Sequence, residues 1–325
     1  MLAISTTFSA QQSSKSSDAY LLVANQGDRA LTVLDTATGK QVAKIPEGEI
    51  TGHEVAASPD GRTAFVPIYG DSGVGLPGTD GRHMLVIDLA TQKITNTIDF
   101  GHGVRPHCVV FNRKDGLLYI TTELENSVTI VDPKSLRIVG SIPTGQSESH
   151  MLAISSDGRR GYTANVASGT VSVLDLVARK TITVISVAPR VQRISITPDN
   201  RTLFTADTTK PQLAVIDTAT NKVTHWITLP ESGYGTAPTH NGQWLLVAMP
   251  KANKVAVIDL KTLELTRTVD VPNAPQEIVI TPDNTMAYVS CSGSGQIAAI
   301  NLKDWKVEKT MDSGRGADGL ALAMR

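Results

Sequence analysis

One turn-marked unit returns along this chain about every 42 residues, and that period constrains the fold more tightly than any other feature. An apolar run closes on an acidic turn at Val33-Leu-Asp35-Thr-Ala-Thr-Gly-Lys40 and again at Val86-Ile-Asp88-Leu-Ala-Thr-Gln-Lys93. The closing residue recurs as Asp132, Asp175, Asp217, Asp259 and Asn301. A second marker precedes it, as in Ala57-Ser-Pro-Asp-Gly61, Ile154-Ser-Ser-Asp-Gly158, Ile196-Thr-Pro-Asp-Asn200 and Ile280-Thr-Pro-Asp-Asn284. Proline presets φ and Gly or Asn admits positive φ, so both markers are tight turns. Between them lie short Val/Ile/Thr-rich runs such as Arg193-Ile-Ser-Ile196, Thr202-Leu-Phe-Thr-Ala206, Leu213-Ala-Val-Ile216 and Val223-Thr-His-Trp-Ile227. Four such strands joined by turns make an antiparallel meander, the blade of a β-propeller.

The residues that open each first strand are His53, His107, His150, Gln192, Tyr234, Gln276 and Asp318, at intervals of 54, 43, 42, 42, 42 and 42. Seven blades follow. The last unit has only the strand Gly319-Leu-Ala-Leu-Ala323, and the N-terminal runs 19–24, 30–34 and 41–45 supply its other three. The expected fold is therefore an all-β, seven-bladed propeller over residues 19–325, closed by one blade that both chain ends share and leaving no unmatched sheet edge there. Length alone, 325 residues at roughly 150 per domain, would have given two domains. The period overrides that prior.

Composition narrows function. Thirty Lys plus Arg stand against 31 Asp plus Glu, leaving no basic surplus for a phosphate backbone, so no nucleic-acid partner is expected. Aromatic residues make up 4%, which argues against a polysaccharide cleft paved with rings. No apolar run approaches the ~18 residues of a membrane-spanning helix. Cys108 and Cys291 lack metal-site spacing and cannot form a disulfide framework. There is no Cys-x-x-Cys-His haem attachment. Residues 1–18 are small and apolar to Ala10, then Gln/Ser-rich, and read as the remnant of an export leader and a polar linker. Periplasmic or secreted location is the expectation, with a monomer as the expected state.

Leu22-Val-Ala-Asn25, Tyr162-Thr-Ala-Asn165 and Thr170-Val-Ser-Val-Leu-Asp175, with the Ser/Thr-Pro-Asp-Gly/Asn turns, resemble the YVTN-type propeller repeats over nearly the whole chain. The resemblance implies the seven-bladed fold and an exported or surface protein. Related seven-bladed propellers include lactonases, metal-dependent lyases and purely binding modules, and fold alone does not choose among them.

Alternate connections of a meander lie on one face, so the residues from His53 to Asp318 share a face with the loops between second and third strands, around the mouth of the central channel. His53, His107 and His150 hold one equivalent position in three consecutive blades and are three of the chain's seven histidines. Three imidazoles with an open fourth position are a catalytic metal's ligand set, with zinc first and manganese, iron, copper or nickel admissible. The same side chains also suit channel water or neighbouring carbonyls. Arg105, Arg190 and Arg193 flank the ring and would clamp a small carboxylate-bearing substrate, with Gln192 and Gln276 as further binding groups. Pairing of Arg105 or Arg190 with Glu148 is the alternative. Glu148 and Tyr234 are the candidate acid–base groups, and Tyr234 would also serve an oxyanion. Glu123, Asn165 and Asp207 fall near the same rim. The His53 unit carries ten extra residues within 69–83, with five glycines from Gly70 to Gly81, a lid or a surface insertion beside His53. His83 ends it, as a solvated loop residue or a fourth ligand, and His225 and His240 read as structural or solvated. The function expected is lactone hydrolysis or metal-assisted lyase chemistry. A non-catalytic binding or scaffold propeller is the rival.

Overall fold

The computed structural model describes residues 19–48 and 50–325, so the leader expected over 1–18 lies outside the described residues. Seven antiparallel sheets form the ring, six of four strands and one, the His53 blade, of five. Ala317–Met324 pairs with Ala19–Asn25, in the register Leu21↔Leu322 and Val23↔Leu320, and the closing sheet continues through Ala30–Asp35 to Gln41–Pro46. The two chain ends thus share a blade, as the incomplete last unit requires. Among the described residues no helix is long and apolar enough to cross a membrane.

Burial follows position in the blade. Second and third strands are covered on both faces by neighbouring blades, so Leu117–Thr122 and Thr170–Asp175 read as almost continuous apolar or Thr/Ser runs. The perimeter strand Lys180–Ser186 alternates between exposed and covered residues. Ile130, Leu174 and Ile216 are fully buried, each worth about 2–3 kcal/mol of transfer from water. They belong to one apolar cluster that passes between successive blades.

One local irregularity positions the site. In four of the inner strands two residues oppose one on the second strand, a β-bulge at the ring position: His107 and Cys108 between Pro106 and Val109, Gln192 and Arg193 between Val191 and Ile194, Gln276 and Glu277 between Pro275 and Ile278, Asp318 and Gly319 between Ala317 and Leu320. In the His150 blade a shift at the same place leaves His150 unpaired between Ser149 and Met151. A bulge re-aims side chains at the end of a strand. Here it turns the ring residue and its successor toward the axis. Gly235 and Gly319 occupy the successor position where blades approach closest: a Cβ on Gly235 would lie 2.0 Å from the Gln276 carbonyl oxygen, and one on Gly319 would lie 2.4 Å from that of His53.

Candidate functional site

The three ring histidines are brought together at the mouth. Their rings form a continuous array, His53 to His107 at 5.4 Å between centroids and 86° between planes, His107 to His150 at 3.6 Å and 32°. All three are buried. Burial, reinforced by mutual repulsion, holds His107 well below the usual imidazole range and brings His53 down to about 4, so both are neutral at pH 7. Among the described residues the Nδ1 of His107 is buried without a partner.

His150 is the wired member. Its Nδ1 lies 3.1 Å from Glu123 Oε2, and its Nε2 lies 3.3 Å from the side-chain nitrogen of Gln192, which also donates to the Tyr234 hydroxyl at 2.7 Å. A carboxylate only accepts and an amide nitrogen only donates, so the network assigns the His150 proton to Nδ1 and a lone pair to Nε2. Glu123 accepts the Tyr69 hydroxyl at 2.9 Å on both oxygens. Tyr69 packs its ring 4.4 Å from His53 and 5.2 Å from His107. Its phenol is pushed above the ordinary range by burial and then by Glu123. Burial likewise pushes Tyr234 up to about 12, which keeps its hydroxyl protonated.

A second layer joins Arg193, Glu54 and Glu277, each one residue past its ring position, to the ring residue Asp318. Arg193 is buried, and its Nη1 is 2.8 Å from Glu54 Oε1 and 2.9 Å from Glu277 Oε2, while Nη2 is 2.6 Å from Asp318 Oδ1. The Glu54 contact is an ion pair without hydrogen-bond alignment. These carboxylates come from three other blades, so the side chains cross-brace the channel. Burial works against the Arg193 charge, but the carboxylates outweigh it and hold its pKa well above the usual value. Burial raises Glu54 well above the ordinary carboxyl range, against the pull of Arg193. The guanidinium also stacks 5.1 Å from the centre of the Tyr234 ring.

The inserted loop covers the same sector. Strands Thr63–Gly70 and Asp80–Asp88 bracket it, so His83 stands in a strand, half-exposed, 3.9 Å from Asp99, rather than in the loop. Arg105 ties the loop down: its Nε bonds Asp80 Oδ1 at 2.5 Å, and its Nη2 donates to the Leu76 carbonyl at 2.8 Å. The carboxylates that pair with Arg105 are therefore Asp80 and, at 3.8 Å, Glu123, rather than Glu148. Glu148 reaches the loop from the His150 blade, its Oε1 only 2.5 Å from where a Cβ on Gly75 would lie. A cleft of about 370 Å³ opens beside His53, lined by Gln26, Arg29, Thr51 and the loop from Gly70 to Gly73.

Two family models match parts of the chain: "Lactonase, 7-bladed beta-propeller" over residues 73–187, and "Outer membrane protein assembly factor BamB" over 167–323. Both are propeller matches, and between them they run through the blades just described. The chain is a seven-bladed β-propeller. A solved chain of Kuenenia stuttgartiensis hydrazine synthase is similar to this propeller with a TM-score of 0.72 and 18% identity, over 85% of this chain and 92% of that one. At that identity the likeness is one of fold. No curated protein sequence matches the propeller.

Within this propeller the sequence brought out His53, His107, His150, Gln192, Arg193 and Tyr234, and the fold gathers all six at the mouth or just beneath it. Gln276 stands aside, donating to Ser292 at 3.1 Å, and Arg190 is exposed on the rim. Tyr69 was not singled out, and Glu123 was placed only near the rim. The repeat does carry a signal for both: each stands sixteen positions after its ring histidine, where the other complete blades have Val166, Thr208, Pro250 and Ser292.

The fit to a metal is incomplete as the rings stand. Imidazoles that share one ion at ~2.1 Å per nitrogen keep their centroids about 5 Å apart. The His53–His107 pair meets that spacing, and the stacked His107–His150 pair does not. Among the described residues no three His, Cys, Asp or Glu side chains are placed to hold an ion.

Proposed function

We propose that the channel mouth hydrolyses a small lactone or related ester, with His150 as general base and Glu123 as the residue that orients it. The single observation behind this reading is the Glu123–His150–Gln192–Tyr234 chain, which presents a basic Nε2 beside two hydrogen-bond donors. A substrate that enters takes over the Gln192 contact to Nε2. Water gives its proton to Nε2 as its oxygen adds to the carbonyl carbon, and the Tyr234 hydroxyl and the Gln192 amide receive the developing oxyanion. Collapse breaks the ring C–O bond, and His150 returns the proton to the leaving oxygen to give the hydroxy acid. Because Arg105 and Arg193 are already compensated by carboxylates, the mouth favours a neutral substrate over a uronate. That revises the arginine-clamp expectation.

The metal expectation is a proposal of its own. Zinc, or manganese, iron, copper or nickel, held by His53, His107 and His150 would supply Lewis acidity to the same carbonyl, and it requires His150 to turn out of its stack. The unpartnered Nδ1 of His107 favours it. A scaffold reading draws on the assembly-factor match over 167–323. Export to the periplasm or medium accords with that match and with the leader-like residues 1–18.

Metal analysis and a lactone panel, run on the wild type and on His107→Ala and His150→Gln, separate these readings. Turnover that survives chelation and is lost in His150→Gln is the expected result. Stoichiometric metal lost in His107→Ala would favour the ion, and no turnover with no metal effect on melting would leave the scaffold.

A further inference from the structure

On the face away from the histidines, between the Tyr234 and Gln276 blades, lies a groove of about 390 Å³ whose lining departs from the repeat. Asn241 stands where other blades have Asp60, Asp157, Asp199 and Asp283, and Asn301 stands where the six other third strands end in Asp. Both departures meet in this one groove. Trp244 lines it where those blades carry Thr63, Arg160, Thr202 and Met286. Among the described residues no carboxylate lines the groove, and the one charged side chain is the exposed Lys303.

Asn301 is spent, donating to Glu308 and accepting from the Lys303 N–H, whereas Asn241 and Asn284 keep a donor unspent. Asn241 uses its oxygen locally, accepting from the Thr239 hydroxyl at 2.7 Å and the Gln243 N–H at 3.1 Å, while its amide nitrogen has no partner among the described residues. Asn284 likewise accepts from the His240 N–H at 2.6 Å. In the matching groove between the His150 and Gln192 blades, Asn200 also donates to the Ser156 hydroxyl at 2.8 Å. Here His240 replaces that serine and turns its Nε2 to the Ile280 carbonyl at 3.1 Å, which leaves the Asn284 nitrogen without a partner among the described residues. Behind Trp244 sits Trp305, 5.4 Å away and edge-on, with Arg267 against both rings. Trp305, with φ of 60°, takes the left-handed turn position that Leu136 and Leu263 hold in other blades. Two of the chain's three tryptophans are thus committed to this place.

We propose that this groove binds a neutral pyranose, its C–H face on Trp244 and its hydroxyls on the amides of Asn241, Gln243 and Asn284. Sugar hydroxyls both donate and accept, as carboxamides do. An indole covers the apolar face of such a ring. An anion would meet only the exposed Lys303. The scarcity of aromatic residues argues against a paved polysaccharide cleft, whereas a one-ring platform needs only Trp244.

The test titrates the full chain with glucose, galactose, N-acetylglucosamine and cellobiose and follows tryptophan fluorescence. At least one sugar should give a saturable change with a dissociation constant on the order of millimolar, as expected of a ligand with about a dozen non-hydrogen atoms. Asn241→Asp keeps both acceptor bonds of the turn, as the Asp of other blades does, while it removes the donor and adds a negative charge. It should weaken binding about fivefold, the worth of one hydrogen bond, at unchanged melting temperature. No saturable response to any of the four sugars, or wild-type affinity in Asn241→Asp, overturns the proposal. Saturation by sodium acetate in place of sugar overturns it as well.

Discussion

Arg193 meets Asp318 across the channel, Nη2 to Oδ1 2.6 Å, although the two stand in blades that are not neighbours on either side of the ring. With Glu54 and Glu277 on the other nitrogen, one guanidinium joins four blades at the level beneath the histidines. Removing one member of a buried ion cluster leaves uncompensated charge, at a cost of about 3–5 kcal/mol. Arg193→Met should lower the free energy of unfolding by that amount, read from a urea titration at unchanged slope. Combining it with Glu54→Gln, Glu277→Gln and Asp318→Asn should recover most of the loss. A single variant as stable as the wild type would show that the cluster contributes no net stability.

Two buried groups give opposing pH dependences. His53, at about 4, stays neutral while the unfolded chain takes up a proton below about pH 6.5, so its contribution to stability falls as pH drops through that window. Glu47, raised to about 7 chiefly by burial, holds a proton that the unfolded chain has released above about pH 4.5, so its contribution falls as pH rises from 4.5 to 7. Each amounts to about 3 kcal/mol across its window. Melting temperatures between pH 4.5 and 7.5 should therefore climb with pH in Glu47→Gln and decline in His53→Gln. Identical profiles in both variants would refute the assignment.

Glu123→Gln tests whether the carboxylate orients His150 or only fills space. The amide would present a donor to the Tyr69 hydroxyl or to the Nδ1–H, so the imidazole loses its fixed tautomer. On a lactone substrate kcat should fall by roughly 10²–10⁴-fold with KM little changed, the range of a lost general base. A kcat that stays at the wild-type level in Glu123→Gln would remove Glu123 from the orienting role.

The fold was legible because the turn residues repeat: Pro, Asp and Gly or Asn at fixed offsets mark each blade, and the termini complete one another. The site was legible in position but not in orientation. Sequence places His107 and Arg193 at strand openings, yet only the bulge that sets two residues against one aims them inward, and no residue type announces that bulge. Arg105 shows the limit from the other side. Its charge and place suggested a substrate clamp, whereas Asp80, brought near by a loop whose course no pattern in the sequence specifies, had already taken it. Tyr69 escaped notice because its partner Glu123 lies 54 residues on, a pairing visible only once blades are superposed.

The loop between Gly70 and Asp80 should open when its tether is cut. Arg105 holds it through Asp80 and the Leu76 carbonyl, and Arg105 itself has φ of 49°, so its backbone is strained into the conformation that aims the guanidinium. Arg105→Gly relaxes that strain and removes the tether, while Arg105→Lys keeps the charge but cannot span both acceptors with a planar fork. Both variants should show faster hydrogen exchange and earlier proteolytic nicking within 71–79 than the wild type, with the other blades unchanged. Because Glu148 meets the same loop at Gly75, Glu148→Ala should produce a smaller change of the same sign. Protection that stays at the wild-type level in Arg105→Gly would mean that the loop is held by its own turn, through the Asp71 to Thr79 bond at 2.6 Å, and would remove Arg105 from the control of access to the histidines.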